Sequence, residues 1–319
     1  MEYSWAEIAA FALIVMIALW IDLRAHRRGQ TITLKNAALW SAFWVALGLG
    51  FAGYVGLFHG LDDAILYLTG YVLEKSLSVD NLFVFMAIFS AFAIKDEYQH
   101  RVLYYGIIGA IVLRLLFVAA GVSLLAWLGV WAMTAFGLFV LWSAFKMWQE
   151  LRRPQEEIVN YSGHWSVRLA RRWLPVADTL DGHRFFTRRS GRLEVTPLFL
   201  CLVTVEMADV MFAFDSVPAI IAVTEKPFLI YTSNIFAILG LRSLYFILAA
   251  AARFLAHLTK AVIAILAYIG LKMLTQAFWG FHIPPLVSLA IVLSLLTAGV
   301  VGSLIFPGPA GSGEKGAET

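Results

Sequence analysis

The chain has 319 residues, 61% hydrophobic and 14% charged, with a net charge of +3 and a mean hydropathy of +0.80. A soluble globular chain is about half apolar and a quarter charged, so this composition excludes an ordinary soluble domain and points to a polytopic membrane protein. A single cysteine, Cys201, excludes an intramolecular disulfide and any metal site built from several thiolates.

About 20 mostly apolar residues cross the hydrocarbon of a bilayer. Nine such stretches follow one another, at roughly 5–23, 37–58, 64–93, 102–126, 128–149, 195–224, 229–252, 261–279 and 284–306. The expected fold is therefore all-α, with about nine transmembrane helices. The opening MEYSWAE carries acids and no basic segment, so the first stretch reads as a retained span rather than a cleaved signal peptide. Four regions result: spans one to five (1–149), a cytoplasmic loop (150–194), spans six to nine (195–306) and a polar, Gly-rich tail (307–319) expected to be disordered.

Alternate loops differ sharply in basic residues. One set holds Arg24, Arg27, Arg28 and Lys35, then Lys95 and Arg101, then Arg253 and Lys260, together with the 150–194 loop and its nine arginines and six acids. The other set, at 59–63, near Gly129, at 225–228 and at 280–284, contributes Lys226 alone. Basic loops stay in the cytoplasm. The N-terminus is thus expected outside and the C-terminus inside. The loop arginines read as this positive-inside signal rather than as a nucleic-acid surface.

The third stretch, GYVLEKSLSVDNLFVFMAIF, is apolar enough for lipid yet carries Glu74, Lys75, Asp80 and Asn81. The sixth repeats the pattern, since Glu74-x5-Asp80-Asn81 is matched by Asp209-x5-Asp215-Ser216. Further on, IVLRLLF around Arg114 is matched by LGLRSLYF around Arg242, and SAFKMWQ around Lys146 by IGLKMLTQ around Lys272. Spans three to five therefore match spans six to eight. A displacement of three spans reverses orientation, which predicts an inverted-topology repeat with a site at the interface of the two units, as in many secondary transporters.

Intramembrane acids are expensive and mark ion pathways. Glu74, Asp80, Glu206, Asp209 and Asp215, with the neutral oxygens of Asn81 and Ser216, form an oxygen-rich set that suits Mn2+, Mg2+ or Ca2+. On an unbroken helix six residues turn the chain by about 240°, so Glu74 and Asp80 would not share a face. Glu74 and Asn81, seven apart, nearly would, as would Asp209 and Ser216. Interrupted helices are therefore expected around both motifs, with Ser76 and Ser78 competing for backbone hydrogen bonds in the first and Pro218 breaking the second; the alternative is a long, tilted, unbroken helix. Lys75, Arg114, Lys146, Arg242 and Lys272 are candidate charge-balancing or gating residues; the two late lysines are alternatively snorkelling anchors. Ligating carboxylates must be deprotonated, which suggests exchange of cation for proton. No nucleophile–base pair or HExxH motif is present, so neither a catalytic residue nor an enzymatic activity is expected.

LEKSLSVDNLFVF, VEMADVMFAFDSVPAI and NIFAILGLRSLYF resemble the TerC/Alx family of integral membrane proteins, within the LysE-like transporter superfamily. The resemblance covers roughly residues 5–306. It implies a bacterial inner-membrane protein that exports Mn2+ from the cytoplasm, with no tightly bound cofactor, and carries the family's acidic positions onto Glu74, Asp80, Asn81, Glu206, Asp209 and Asp215. Tellurium resistance is a phenotype label, and nothing in these residues binds an oxyanion specifically. The alternative is a membrane partner that assists insertion or metal loading of secreted proteins, docking them on the 150–194 loop.

Overall fold

The computed structural model describes residues 3–25, 33–92, 94–152, 175–177, 180–189, 192–251, 258–281 and 283–305. The helices are α1 (Trp5–Ala25), α2 (Leu34–Phe58), α3 (Leu61–Ala91), α4 (Asp96–Leu128), α5 (Val130–Arg152), α6 (Pro197–Ile221), α7 (Pro227–Ile238), α8 (Leu241–Ala251), α9 (Leu258–Trp279) and α10 (Pro285–Ile305). Six of them are long and apolar enough to cross a membrane, and α7 with α8 makes a seventh if the pair, bent by 45°, is one span. This is an all-α polytopic membrane protein. The charged α3 is not among those six, and the apolar part of α1 is shorter than they are. The soluble part described is an antiparallel hairpin, β1 (Phe186–Arg189) with β2 (Arg192–Val195), ahead of α6. The expected tail and residues 153–174 of the expected loop lie outside the described residues.

Local sequence explains the ends. Pro197 and Pro227 open α6 and α7, where a missing N–H is harmless. Thr33 caps α2 by accepting the Asn36 amide at 3.3 Å. Within the helices hydroxyls bond their own backbone four residues earlier: Thr69 to Ile65, Thr204 to Leu200, Ser233 to Leu229. No water is at hand in lipid, so polar side chains must be satisfied this way.

The expected interruptions in the acidic segments are not found; α3 and α6 are continuous. Ser76 donates to the Val72 carbonyl at 2.6 Å and so stays within the helix rather than competing with it. Pro218 stands in the last turn of α6 and withholds one ladder bond there, yet the helix continues through it to Ile221. The break falls instead in the seventh stretch. There Leu239 leaves helical geometry and Gly240 has φ +81°, a conformation glycine adopts without strain. The indole of Trp44 fills the space a Cβ would need at Gly240.

Packing places the acidic helices centrally. α3 lies against α7, α2, α10 and α6; α6 lies against α4 and α3; α5 and α9 pack most extensively on each other. Close approach of α5 and α9 needs Gly137 and Gly270, since a Cβ on either would meet the facing helix.

Three segments expected on one side of the membrane do meet at one end of the bundle. Lys226 Nζ donates to both carboxylate oxygens of Asp63, at 2.9 and 3.0 Å, and Tyr3 OH donates to Asp63 Oδ2 at 2.9 Å. Beside them Glu7 accepts from Tyr54 OH at 2.9 Å and the Ser4 amide at 2.7 Å, with His59 Nε2 at 2.7 Å. Exposed aromatic residues gather at the turns expected on that side, among them Phe58, Trp127, Trp131, Trp279 and Phe281, as at a membrane interface.

Candidate functional site

Four helices meet around one arginine. Arg114 on α4, 3% exposed, donates Nη1–H to Glu74 Oε2 on α3, whose residue is wholly buried. Asn234 Nδ2 on α7 donates to the other Glu74 oxygen at 2.9 Å, and Arg114 Nη1 reaches Asn234 Oδ1 at 3.3 Å. On the far side Arg114 Nη2 lies 3.9 Å from Asp209 Oδ1 on α6. Glu74 and Asp209, the acids that open the two matching sequence motifs, are thus joined through a single guanidinium, not through broken helices.

The three acids differ in what they lack. Glu74 has a donor on each oxygen. Asp209 has one long contact, and its buried Oδ2 has no hydrogen-bond partner. Glu206, one turn earlier, is half-buried, and its Oε2 is buried without a partner. Its carboxylate presses on the backbone of Gly109 in α4, where any Cβ would collide with it. A buried unpaired polar atom costs about 1–3 kcal/mol, more if charged, so α6 presents two open acceptor positions.

The remaining expected residues divide. Lys75 reaches across to the helix break, its Nζ donating to the carbonyls of Ala237 at 3.0 Å and Leu239 at 3.2 Å. It answers acceptors that the break sets free. Asn81 and Ser216 are buried, seven residues from Glu74 and Asp209 respectively, on the faces that continuous helices predict. Ser216 faces the Glu74 carboxylate, though its hydroxyl makes no hydrogen bond of ordinary geometry. Arg242 is buried two residues past Gly240. Lys272 does not snorkel: it is 7% exposed, with Nζ 3.4 Å from Ser288 Oγ of α10. Lys146 is exposed, its ammonium 5.5 Å from the Trp142 ring. The side chains of Asp80 and Asp215 lie outside the described residues. Among the described residues no group of three or more His, Cys, Asp or Glu side chains is placed to hold a metal. Asn234 is the residue that sequence reasoning missed. Its signal was Thr232-Ser233-Asn234, three polar residues in a row within an apolar span.

Fold and site together define an integral membrane protein with a charged network sealed inside its helical bundle. More particularly, the chain belongs to the TerC family: the model for the integral membrane protein TerC family matches residues 59–307. It is 46% identical to the tellurium resistance protein TerC of Serratia marcescens, over 97% of this chain and 96% of that one. Identity to the tellurium resistance protein TerC of an Alcaligenes species is 45%, covering 94% of each. The putative membrane-bound redox modulator Alx of Escherichia coli K12 is 43% identical, covering 90% of each. No solved structure matches this chain.

Proposed function

We propose that this protein exports a divalent metal cation, Mn2+, from the cytoplasm across the bacterial inner membrane in exchange for protons. The observation that carries the reading is the pair of open carboxylate positions on α6, at Glu206 and Asp209, one of them facing Glu74 of the equivalent helix across Arg114. Oxygen ligands without nitrogen or sulfur suit a hard divalent ion. In this proposal Arg114 is the resident counter-charge, and an entering cation takes over Asp209, with Asp80, Asn81, Glu206 and Asp215 completing the ligand set. Competition between metal and proton for these carboxylates couples the two fluxes.

The helix packing supports the nine-span inverted repeat, in which α3, α4 and α5 correspond to α6, the α7–α8 pair and α9. Such a repeat pairs α3 with α7 as α4 is paired with α6, and sets α5 against α9. Nine spans put the N-terminus outside and the C-terminus inside, and the bias of the basic loops supports that orientation. The regions divide at 149, 194 and 306. A redox role of the kind the Alx relatives' name suggests has little support in the chain's thiols: the one cysteine, Cys201, is buried.

A second reading, docking of a membrane or secreted protein on the 150–194 loop, draws on the ordered hairpin. Arg101 of α4 lies over Phe185 at 4.9 Å, and Thr196 Oγ1 donates to the Arg184 carbonyl at 2.7 Å, fixing a platform at the membrane edge. Efflux of radiolabelled Mn2+ from loaded vesicles tests the first reading against Asp80→Asn and Asp215→Asn at matched expression. Efflux by wild type, lost in both variants, supports one site built from both repeats. No efflux by well-expressed wild type sinks the exporter and leaves the docking reading. That reading in turn requires partner binding to fail when residues 155–190 are shortened.

A further inference from the structure

A groove of about 790 Å³ lies between α3, α5, α6 and α9. Along α6 it runs from Thr204 to Phe214, about 15 Å at the helical rise of 1.5 Å per residue. That is half of the roughly 30 Å hydrocarbon core, so the groove is one leaflet deep. Its flank includes Trp142, Met211 and Phe214, each more than half exposed, so it opens sideways toward lipid rather than endwise toward water. Its mouth lies at the ends of α5 and α9 nearest the basic loops, at Lys146 and Thr259. Among the described residues Lys146 is the one charged side chain that lines it.

We propose that this groove binds an anionic phospholipid of the cytoplasmic leaflet, with the headgroup on Lys146 and an acyl chain running down to Asn81. The leaflet assignment rests on the orientation proposed above; the exporter reading itself is not required. Charge complementarity selects the occupant. An ammonium held beside an indole at the mouth of an apolar slot repels an incoming divalent cation and attracts a phosphate. The rim continues the same sign, with Arg152 stacked 3.7 Å over Trp148 and exposed Lys260 beside Thr259. Basic pockets between helices on the cytoplasmic side recognise lipid headgroups in this way. The deep end is lined by Leu77 and Asn81 of the acidic helix. A bound chain there keeps water from that face of α3, which makes the lipid a regulator of access to the acidic motif.

The test uses the full chain, purified in detergent and mixed with equal amounts of phosphatidylglycerol and phosphatidylcholine, with bound lipid read by native mass spectrometry. Wild type is expected to retain phosphatidylglycerol about fivefold over phosphatidylcholine, the preference that one lysine near the surface supplies. Lys146→Gln brings the two to parity, Lys146→Arg restores the preference, and Ala208→Phe, which fills the slot, lowers retention of both. Matched melting temperatures show that each variant is folded. Equal retention by wild type, a preference that survives Lys146→Gln, or undiminished retention by Ala208→Phe overturns the proposal and returns the groove to a water-filled entrance or a merely annular contact.

Discussion

Two charged clusters each join α3 to α7 or to its N-cap Lys226, one at the centre of the bundle and one at its expected outer face. The central cluster of Arg114, Glu74, Asn234 and Asp209 is buried, and its acids outnumber its guanidinium. The outer cluster of Lys226, Asp63 and Tyr3, with Glu7, His59 and Tyr54 beside it, satisfies its carboxylates with ordinary hydrogen bonds at a water-accessible edge. Chemically the pairs are alike. Their surroundings make one a fastening and the other a frustrated core: buried Asp63 has a donor on both oxygens and a lysine that is about a third exposed, whereas Asp209 keeps a buried oxygen without a partner, and a buried charge without full compensation is costly. Under the proposed export, incomplete satisfaction is what leaves room for a cation; a fastening is best left complete.

The comparison breaks most visibly at Arg114. Arg114→Met leaves Glu74 and Asp209 without their counter-charge and is expected to destabilise the protein by about 3–5 kcal/mol. Thermal melting in detergent reads this, and Glu74→Gln added to Arg114→Met should recover part of the loss. If Arg114→Met melts like wild type, the central pair is not the organising contact. Asn234→Ala comes next. It removes a hydrogen bond to a charged group, worth about 1.5–3 kcal/mol, and should be additive with substitutions at Lys226 but not with those at Glu74.

Gly109→Ala sharpens the contrast differently. Its new methyl group would displace the Glu206 carboxylate, a crowding that costs about 1–3 kcal/mol. Efflux should fall more than stability if Glu206 is a ligand; equal losses would make it a packing residue only. The smallest effect belongs to the outer cluster. Lys226→Ala leaves buried Asp63 with the Tyr3 hydroxyl as donor and should cost about 1–2 kcal/mol, and raising salt toward 1 M should narrow the difference from wild type, since Lys226 is about a third exposed. The loss caused by Arg114→Met should persist in salt, since buried pairs are little screened.

The helices were legible in the sequence, and all nine apolar stretches contain helix in the described residues. So were the near sharing of a face by Glu74 and Asn81 and the placing of the N-terminus at the same end as residues 59–63 and 225–228; that these segments bond to one another was not. The interruption was misplaced because Ser76 and Pro218 were weighed as helix breakers without their local context. Ser76 bonds inside its helix, and Pro218 comes where α6 is ending. Gly240, the residue that does open a span, was visible in the sequence, but a glycine in an apolar run is as often a packing residue. What marks it out is Trp44, from a helix nearly two hundred positions away.

Sequence by itself determined the solvent, the helical class and the rare charges set into apolar segments, because hydropathy and the cost of burying charge are properties of each residue in turn. Tertiary structure alone decided which charges meet. Arg114 lies 40 positions from Glu74 and 120 from Asn234, and nothing in a one-dimensional pattern chooses among five intramembrane bases. That choice is made by helix packing, which seals one guanidinium between two acids, sends Lys75 to the broken helix and leaves Lys146 to the lipid.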